Sequence, residues 1–290
     1  MNKFTKLRNI KNLSLIGKAL NGRFCSSKCI EVSNKQDNSI FVMNMRNSPV
    51  NSLNLEFMEE IVSVLHDIEN NPKCKAVVFA SSVRAFSAGF YINEMLNPDR
   101  ERLRQFWRAA QNLALAIMKT SLVTASAING SCIAGGCVFS FLSDITVMNS
   151  SRKLKIGLSA TKMGIVPPNM LLLPLVNLVG QRKAEWFASQ SVLLDPIQAK
   201  ECGMVQYIVE KDRVLPTAIE LVKDYLTIPD VGRIATKKLF AKSILDKLDT
   251  EAYLENEVTG FTQSLLKPEI QNLIANHLNG ISKRLSLIHI

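Results

Sequence analysis

The sequence predicts an α/β fold of βαβ units followed by a helical C-terminal region. Three observations carry that prediction. Short apolar runs bounded by turn residues alternate with amphipathic helical patterns over the first half of the chain. One of these runs, Ala76–Ala80 (AVVFA), is apolar throughout, as suits a parallel strand covered on both faces. Beyond Gly164 the patterns become mostly helical.

Ser39–Met45 alternates and reads as a strand, and Asn47-Ser48-Pro49 as a turn. Leu55–Asn70 places Phe57, Ile61, Val64, Leu65 and Ile68 at helical spacing, and Asn70-Asn71-Pro72 stops that helix. Ala76–Ala80 is a strand, Arg100–Lys119 a helix and Val123–Ile128 a strand. Asn129–Gly136 is a glycine-containing turn into the apolar helix Cys137–Leu142, and Asp144–Met148 is a strand again. Met170–Val179, Arg182–Ser189 and Pro196–Cys202 read as helices, Gly203–Val209 as one more strand, and Asp212–Leu226 as a helix bounded by Pro229. Arg233–Leu248, Ala252–Leu266 and Glu269–Asn279 form a helical C-terminal region. The resulting division is a leading segment 1–30, a core 38–226, a helical region 227–284 and an unassigned tail 285–290.

The net charge of +10 is mostly located in that leading segment, which carries seven of the 35 basic residues and no acid. The other 260 residues hold 28 basic and 25 acidic groups, a balance of +3. That near-neutrality, without a basic stripe interleaved with aromatics, excludes nucleic acid as a partner class. Residues 1–30 have Phe4, Leu7, Ile10 and Leu13 near helical spacing with Lys and Arg between, the composition of a mitochondrial transit segment. The expected compartment is the mitochondrial matrix. No run approaches the roughly 18 apolar residues of a membrane span.

None of the six cysteines forms a C-x-x-C pair, and the three histidines lie far apart, so neither a disulfide framework nor a metal site is expected. His66 reads as a surface residue of an amphipathic helix. P-loop, nucleophile-elbow and dinucleotide fingerprints are all absent.

Two strand-to-helix turns stand out. Ala85-Phe86-Ser87-Ala88-Gly89-Phe90-Tyr91-Ile92 follows the strand Ala76–Ala80, and Asn129-Gly130-Ser131-Cys132-Ile133-Ala134-Gly135-Gly136-Cys137 follows Val123–Ile128. Small-residue turns of this kind leave backbone N–H groups free, and two of them can aim two donors at one oxygen. Either turn alone is more readily explained as packing.

In this order and spacing the pair resembles the crotonase (enoyl-CoA hydratase/isomerase) superfamily. Among its subgroups the chain is most similar to the mitochondrial Δ3,Δ2-enoyl-CoA isomerases. The matching blocks are Pro49-Val50-Asn51-Ser52-Leu53, Phe86-Ser87-Ala88-Gly89, Ser126-Ala127-Ile128-Asn129-Gly130, Ala134-Gly135-Gly136-Cys137, and Ile156-Gly157-Leu158 with Gly164-Ile165. The resemblance implies a ββα spiral core with a C-terminal helical region that assembles a homotrimer. It implies an acyl-CoA thioester as substrate or ligand, with no separate cofactor. The N–H groups of Phe90 and Gly135 would polarise the thioester carbonyl. Ala88, Gly89, Phe90, Tyr91, Ile92 and Ser159 would bind substrate, and Met163, Ile165 and Val166 would floor an apolar acyl pocket.

The isomerase subgroup has its proton-shuttling Glu where this chain has Ala160, and hydratases carry a further Glu where it has Val138. Tyr91 stands where the subgroup has Asp. Loss of a general acid/base costs on the order of 10²–10⁴ in rate. Tyr91, Glu94 and Lys162 are near these positions, but each reads first as a surface or packing residue. Trp107 and Trp186 read as packing residues too. The resemblance therefore implies a 3-enoyl-CoA to 2-trans-enoyl-CoA isomerase of fatty-acid β-oxidation that lacks its expected base. The alternative is an acyl-CoA-binding pseudoenzyme, or a partner subunit of the same fold.

Overall fold

A computed structural model describes residues 28–35 and 39–288, with side chains through Gly280. The basic segment expected to act in targeting lies almost wholly outside the described residues. β1 (Ile30–Lys35) begins at the last residue assigned to that segment and ahead of residue 38, where the sequence reading starts the core. β1 pairs antiparallel with β2 (Ile40–Met45), and Ile30 is fully buried. The alternation Ile30, Val32 was its sequence signal, masked by the adjoining basic stretch.

From β2 onward the chain repeats one move: a strand in a large sheet, a two-residue strand in a small one, then a helix. β2 leads to β3 (Ser52–Leu53) and α1 (Leu55–Glu69). β4 (Ala76–Ser81) leads to β5 (Gly89–Phe90) and α2 (Arg100–Lys119). β6 (Val123–Ile128) leads to β7 (Cys132–Ile133) and α3 (Cys137–Leu142). β8 (Ile145–Asn149) leads to β9 (Ile156–Gly157), and then to α4 (Asn169–Val179), α5 (Gln181–Ser189) and α6 (Pro196–Glu201). β10 (Tyr207–Val209), shorter than the run predicted, closes the large sheet and is followed by α7 (Val214–Tyr225). α8 (Asp230–Leu248), α9 (Glu251–Leu265) and α10 (Pro268–Ile288) end the described chain, and α10 extends into the tail the sequence reading left unassigned. This is the ββα spiral implied by the sequence motifs.

The large sheet has the order β1-β2-β4-β6-β8-β10, parallel apart from β1. Its strands bury both faces. Phe41, Met43, Val77 and Phe79 enter the main core with α1 and α2, while Ile40, Val42, Ala76, Val78 and Ala125 pack against Val214, Ala218 and Val222 of α7. That two-sided burial is why AVVFA carries no polar position. The small strands pair as β3 with β5 and β7 with β9, and a single bridge, Ser87 to Cys132, joins the two pairs.

Local capping sets the helix starts. Asn54 accepts from the Phe57 N–H at 3.0 Å, and Asp99 from that of Arg102 at 2.9 Å. Asp195 and Gln198 form a capping box before α6. α9 docks on α2 through a face-to-face stack of Trp107 on Phe261, with centroids 3.5 Å apart. Arg104 and Arg108 both pair with Glu255 there. α10 crosses the chain after β9, where Gly164 leaves room for Ile270 and Leu273. The C-terminal helices thus fold back over their own core. No helix among the described residues is long and apolar enough to cross a membrane.

Candidate active site

The two glycine turns meet at the small sheet. Ile133 N–H donates to Ser87 O at 3.0 Å and Phe86 N–H to Ser131 O at 3.0 Å. Asn51 steadies the first turn by donating to Phe86 O and Ser81 Oγ, and Ser87 Oγ donates to Asn51 O at 2.8 Å. Three glycines permit the approach. A Cβ on Gly89, whose φ is +87°, would lie 2.7 Å from Ile133 O and 2.9 Å from Gly135 N. A Cβ on Gly135 would lie 2.8 Å from the Phe90 ring, and one on Gly136 2.7 Å from the Ser87 side chain.

The donors follow from this packing. Tyr91 N–H donates to Leu53 O across the β3–β5 ladder. In a parallel ladder alternate residues serve one neighbour, so the Phe90 N–H faces away from β3. Gly135 stands in the first turn of the short 3₁₀ segment Ala134–Gly136, where N–H groups have no intrahelical acceptor. Ala134 holds φ +51° to turn the chain there. Both N–H groups belong to residues that line one cleft of about 580 Å³.

Of the residues singled out from sequence, Ala88, Phe90, Tyr91, Ile92, Gly135, Ser159 and Ala160 line this cleft together. Gly89 lies behind the lining, against Gly135. Met163, Ile165 and Val166 also line it, but Val166 is 72% exposed and forms rim rather than floor. Trp107 is buried, as a packing residue should be, yet it also touches the cleft. Trp186 and His66 are on the surface. Sequence reasoning missed Leu171, Phe261 and His277 as cleft residues. They come from α4, α9 and α10, and no local pattern announces that these helices fold back.

No Asp or Glu lines the cleft among the described residues; its titratable side chains are Tyr91, Lys162 and His277. Glu94 is 8% exposed and turned away from it. Its Oε1 accepts from Arg102 Nη2 at 2.6 Å and from the Leu55 N–H at 3.4 Å, and its Oε2 accepts from Arg102 Nε at 2.8 Å. The carboxylates of Glu94 and Glu56 in turn push the Arg102 guanidinium further up, so it stays charged. Glu94 is therefore an anchor for the cleft wall, as its default reading held. Val138 is buried in the core behind the second turn. Cys137, beside Gly135, is no nucleophile: burial first, then the neighbouring Cys132, raises its thiol well above the usual range. No cluster of three or more metal-ligating side chains occurs among the described residues.

Comparison with known proteins gives concordant results. A family model described as enoyl-CoA hydratase/isomerase matches residues 35–274. Enoyl-CoA delta isomerase 1, mitochondrial, from Homo sapiens is 33% identical over 84% of this chain and 80% of its own length. The Rattus norvegicus protein of the same name is 33% identical over 89% of each. The crystal structure of human mitochondrial delta3-delta2-enoyl-CoA isomerase superposes with a TM-score of 0.85 at 31% identity, over 89% of this chain and 99% of that one. An enoyl-CoA hydratase from Bacillus halodurans, at 22% identity and TM-score 0.74, shares the fold. The chain belongs to the enoyl-CoA hydratase/isomerase family.

Proposed function

We propose that the protein binds an acyl-CoA thioester in this cleft and acts as an enoyl-CoA isomerase-type protein of mitochondrial fatty-acid β-oxidation. It would move a double bond from C3–C4 to C2–C3. The observation that supports the reading is the meeting of the two glycine turns, which brings Phe90 and Gly135 to the lining of one cleft. Two preorganised donors in a water-poor site stabilise the oxygen of a dienolate far better than water does. Ala88 to Ile92 and Ser159 would hold the thioester, and Ile165 and Leu171 the acyl chain. No cofactor takes part. The mitochondrial location rests on the basic leading segment and on the names of the relatives, and the matrix is where such a segment would deliver it.

Assembly as a homotrimer is part of the proposal. Its support is that α8 leaves three large apolar side chains, Val231, Leu239 and Phe240, strongly exposed around its surface. An isolated chain seldom leaves so many large apolar side chains on one helix in water.

Isomerisation needs a group that takes a proton from C2 and returns one to C4, and Ala160 cannot titrate. One observation, that no carboxylate among the described residues lines the cleft, favours a second reading: a catalytically impaired acyl-CoA-binding protein or partner subunit. Turnover of a 3-enoyl-CoA by the full-length protein, beside Ala160→Glu, decides between them. The expected result is slow or absent turnover in the natural protein and a gain of about 10²–10⁴ in the variant. Fast turnover unaffected by the new Glu would place the proton shuttle on another residue.

A further inference from the structure

A second cavity of about 590 Å³ opens between α2, α3, α4, α7 and α8, and it shares no lining residue with the cleft. Most of its wall is apolar, with Met118, Phe141, Leu178, Ile228, Phe240 and Ile244. Lys237, Asp144 and Arg233 interrupt that wall with charge. Lys237 and Asp144 satisfy each other. The Lys237 ammonium donates to Asp144 Oδ2 at 2.7 Å and to Leu122 O at 2.6 Å, and Asp144 Oδ2 also accepts from the Thr124 N–H at 2.8 Å. Arg233 is less well provided. Its side chain is only 4% exposed, its Nη2 donates to Asp230 at 2.7 Å, and Asp230 is shared with Lys75. Its Nε and Nη1 are buried and have no acceptor among the described residues. Buried donors are seldom left in this state, because nothing repays their lost hydration.

We propose that this cavity binds a long-chain fatty acid, with its carboxylate on Arg233 and its alkyl tail along the apolar wall. The site is separate from the thioester seat and does not depend on it.

Charge complementarity selects the head group. A carboxylate brings acceptors for the two open positions of Arg233, and hydrogen bonds between charged partners are the strong ones. Burial lowers the Lys237 ammonium despite the Asp144 carboxylate beside it, so a further negative charge is favourable there too. The apolar wall selects the tail. It is drawn from five helices, and a flexible alkyl chain can follow it and leave water. Arg233 is buried and Phe240 is 76% exposed, so the head lies inward and the tail runs toward the mouth. Val231 and Leu239, also exposed on α8, do not line the cavity and stay free for assembly.

The test titrates the full-length protein with dodecanoate by calorimetry, beside dodecanol, which has the same tail and no charge. Butyryl-CoA reports on the cleft. Dodecanoate should bind without competing with butyryl-CoA. Dodecanol should bind roughly 10- to 100-fold more weakly, and Arg233→Met should weaken dodecanoate by a similar factor, the worth of hydrogen bonds to a charged partner. Shortening the acid by one CH₂ should weaken it about fourfold. Ala241→Trp fills the cavity and leaves its ion pairs in place. It should abolish dodecanoate binding with the butyryl-CoA Kd unchanged, and it keeps the test decisive if Arg233→Met fails to fold. Displacement of dodecanoate by butyryl-CoA, or binding that survives Ala241→Trp, puts the fatty acid elsewhere and overturns the inference. Equal binding of acid and alcohol overturns the role of Arg233 and the inference with it. So does absence of dodecanoate binding, whether the cavity stays empty or a second copy of the chain covers its mouth.

Discussion

The two walls of the cleft are made of different material. One wall, Ala88–Tyr91 with Ala134–Gly135, presents backbone N–H groups. The facing wall, Leu158–Ile165, can offer chemistry only through side chains, and at residue 160 it offers a methyl group. The difference teaches that the two walls depend on the fold to different degrees. A backbone donor is aimed by the turn that carries it, and the turn is held by packing among Gly89, Gly135, Gly136 and Ser87. Losing it means disturbing the fold. A side-chain base disappears with a single substitution that costs the fold nothing.

The comparison breaks most clearly at Gly135. Gly135→Ala puts a Cβ 2.8 Å from a Phe90 ring that Phe106 and Trp107 confine at 5.6 and 5.7 Å. The turns must separate, and any turnover or enolate stabilisation should fall by about 10²–10³, the usual cost of losing one oxyanion donor. Ala160→Ser, on the facing wall, should change the same assay little. An equal loss in both variants would erase the distinction between the walls.

A smaller effect is expected where the backbone wall is anchored. Arg102→Met leaves the Glu94 carboxylate buried with only the Leu55 N–H as donor. The expected loss in urea denaturation is about 2–3 kcal/mol, below the usual figure for a broken buried pair because Arg102 is itself 44% exposed on its side chain. Rescue by Arg102→Lys should be partial, since an ammonium cannot reproduce the fork.

The smallest effect is on pH dependence. Arg104 and Arg108 hold the Glu255 carboxyl below its ordinary range, and Lys75 and Arg233 do the same for Asp230. Groups with depressed values stabilise the fold at and above neutral pH, and that contribution fades as pH falls through the folded values. Hydrogen exchange in α8 and α9 should therefore rise on acidification before exchange in β4 and β6. Uniform loss of protection would contradict this.

The long elements were legible because their patterns repeat. Arg100–Lys119, Val123–Ile128 and Cys137–Leu142 have the bounds read from sequence. β3, β5, β7 and β9 were not, since two residues make no period, yet these four strands hold the site. The position of Ala160 was legible only through family resemblance, because an alanine on a short turn signals nothing by itself. His277 enters the cleft from 117 residues further along the chain, a distance over which local pattern carries no information.

By itself the sequence determined the order of the longer strands and helices, the two glycine turns and the absence of an acid at residues 138 and 160. These are local properties: periodic burial, backbone freedom at glycine, and chemical identity. Tertiary structure alone decided which groups meet. It turned the Phe90 N–H outward by spending the Tyr91 N–H on Leu53, and it drew Glu94 away to Arg102. It also brought α9 and α10 over the cleft. Each of these depends on which partner claims a donor or a charge, and partners distant in sequence become neighbours only when the chain packs.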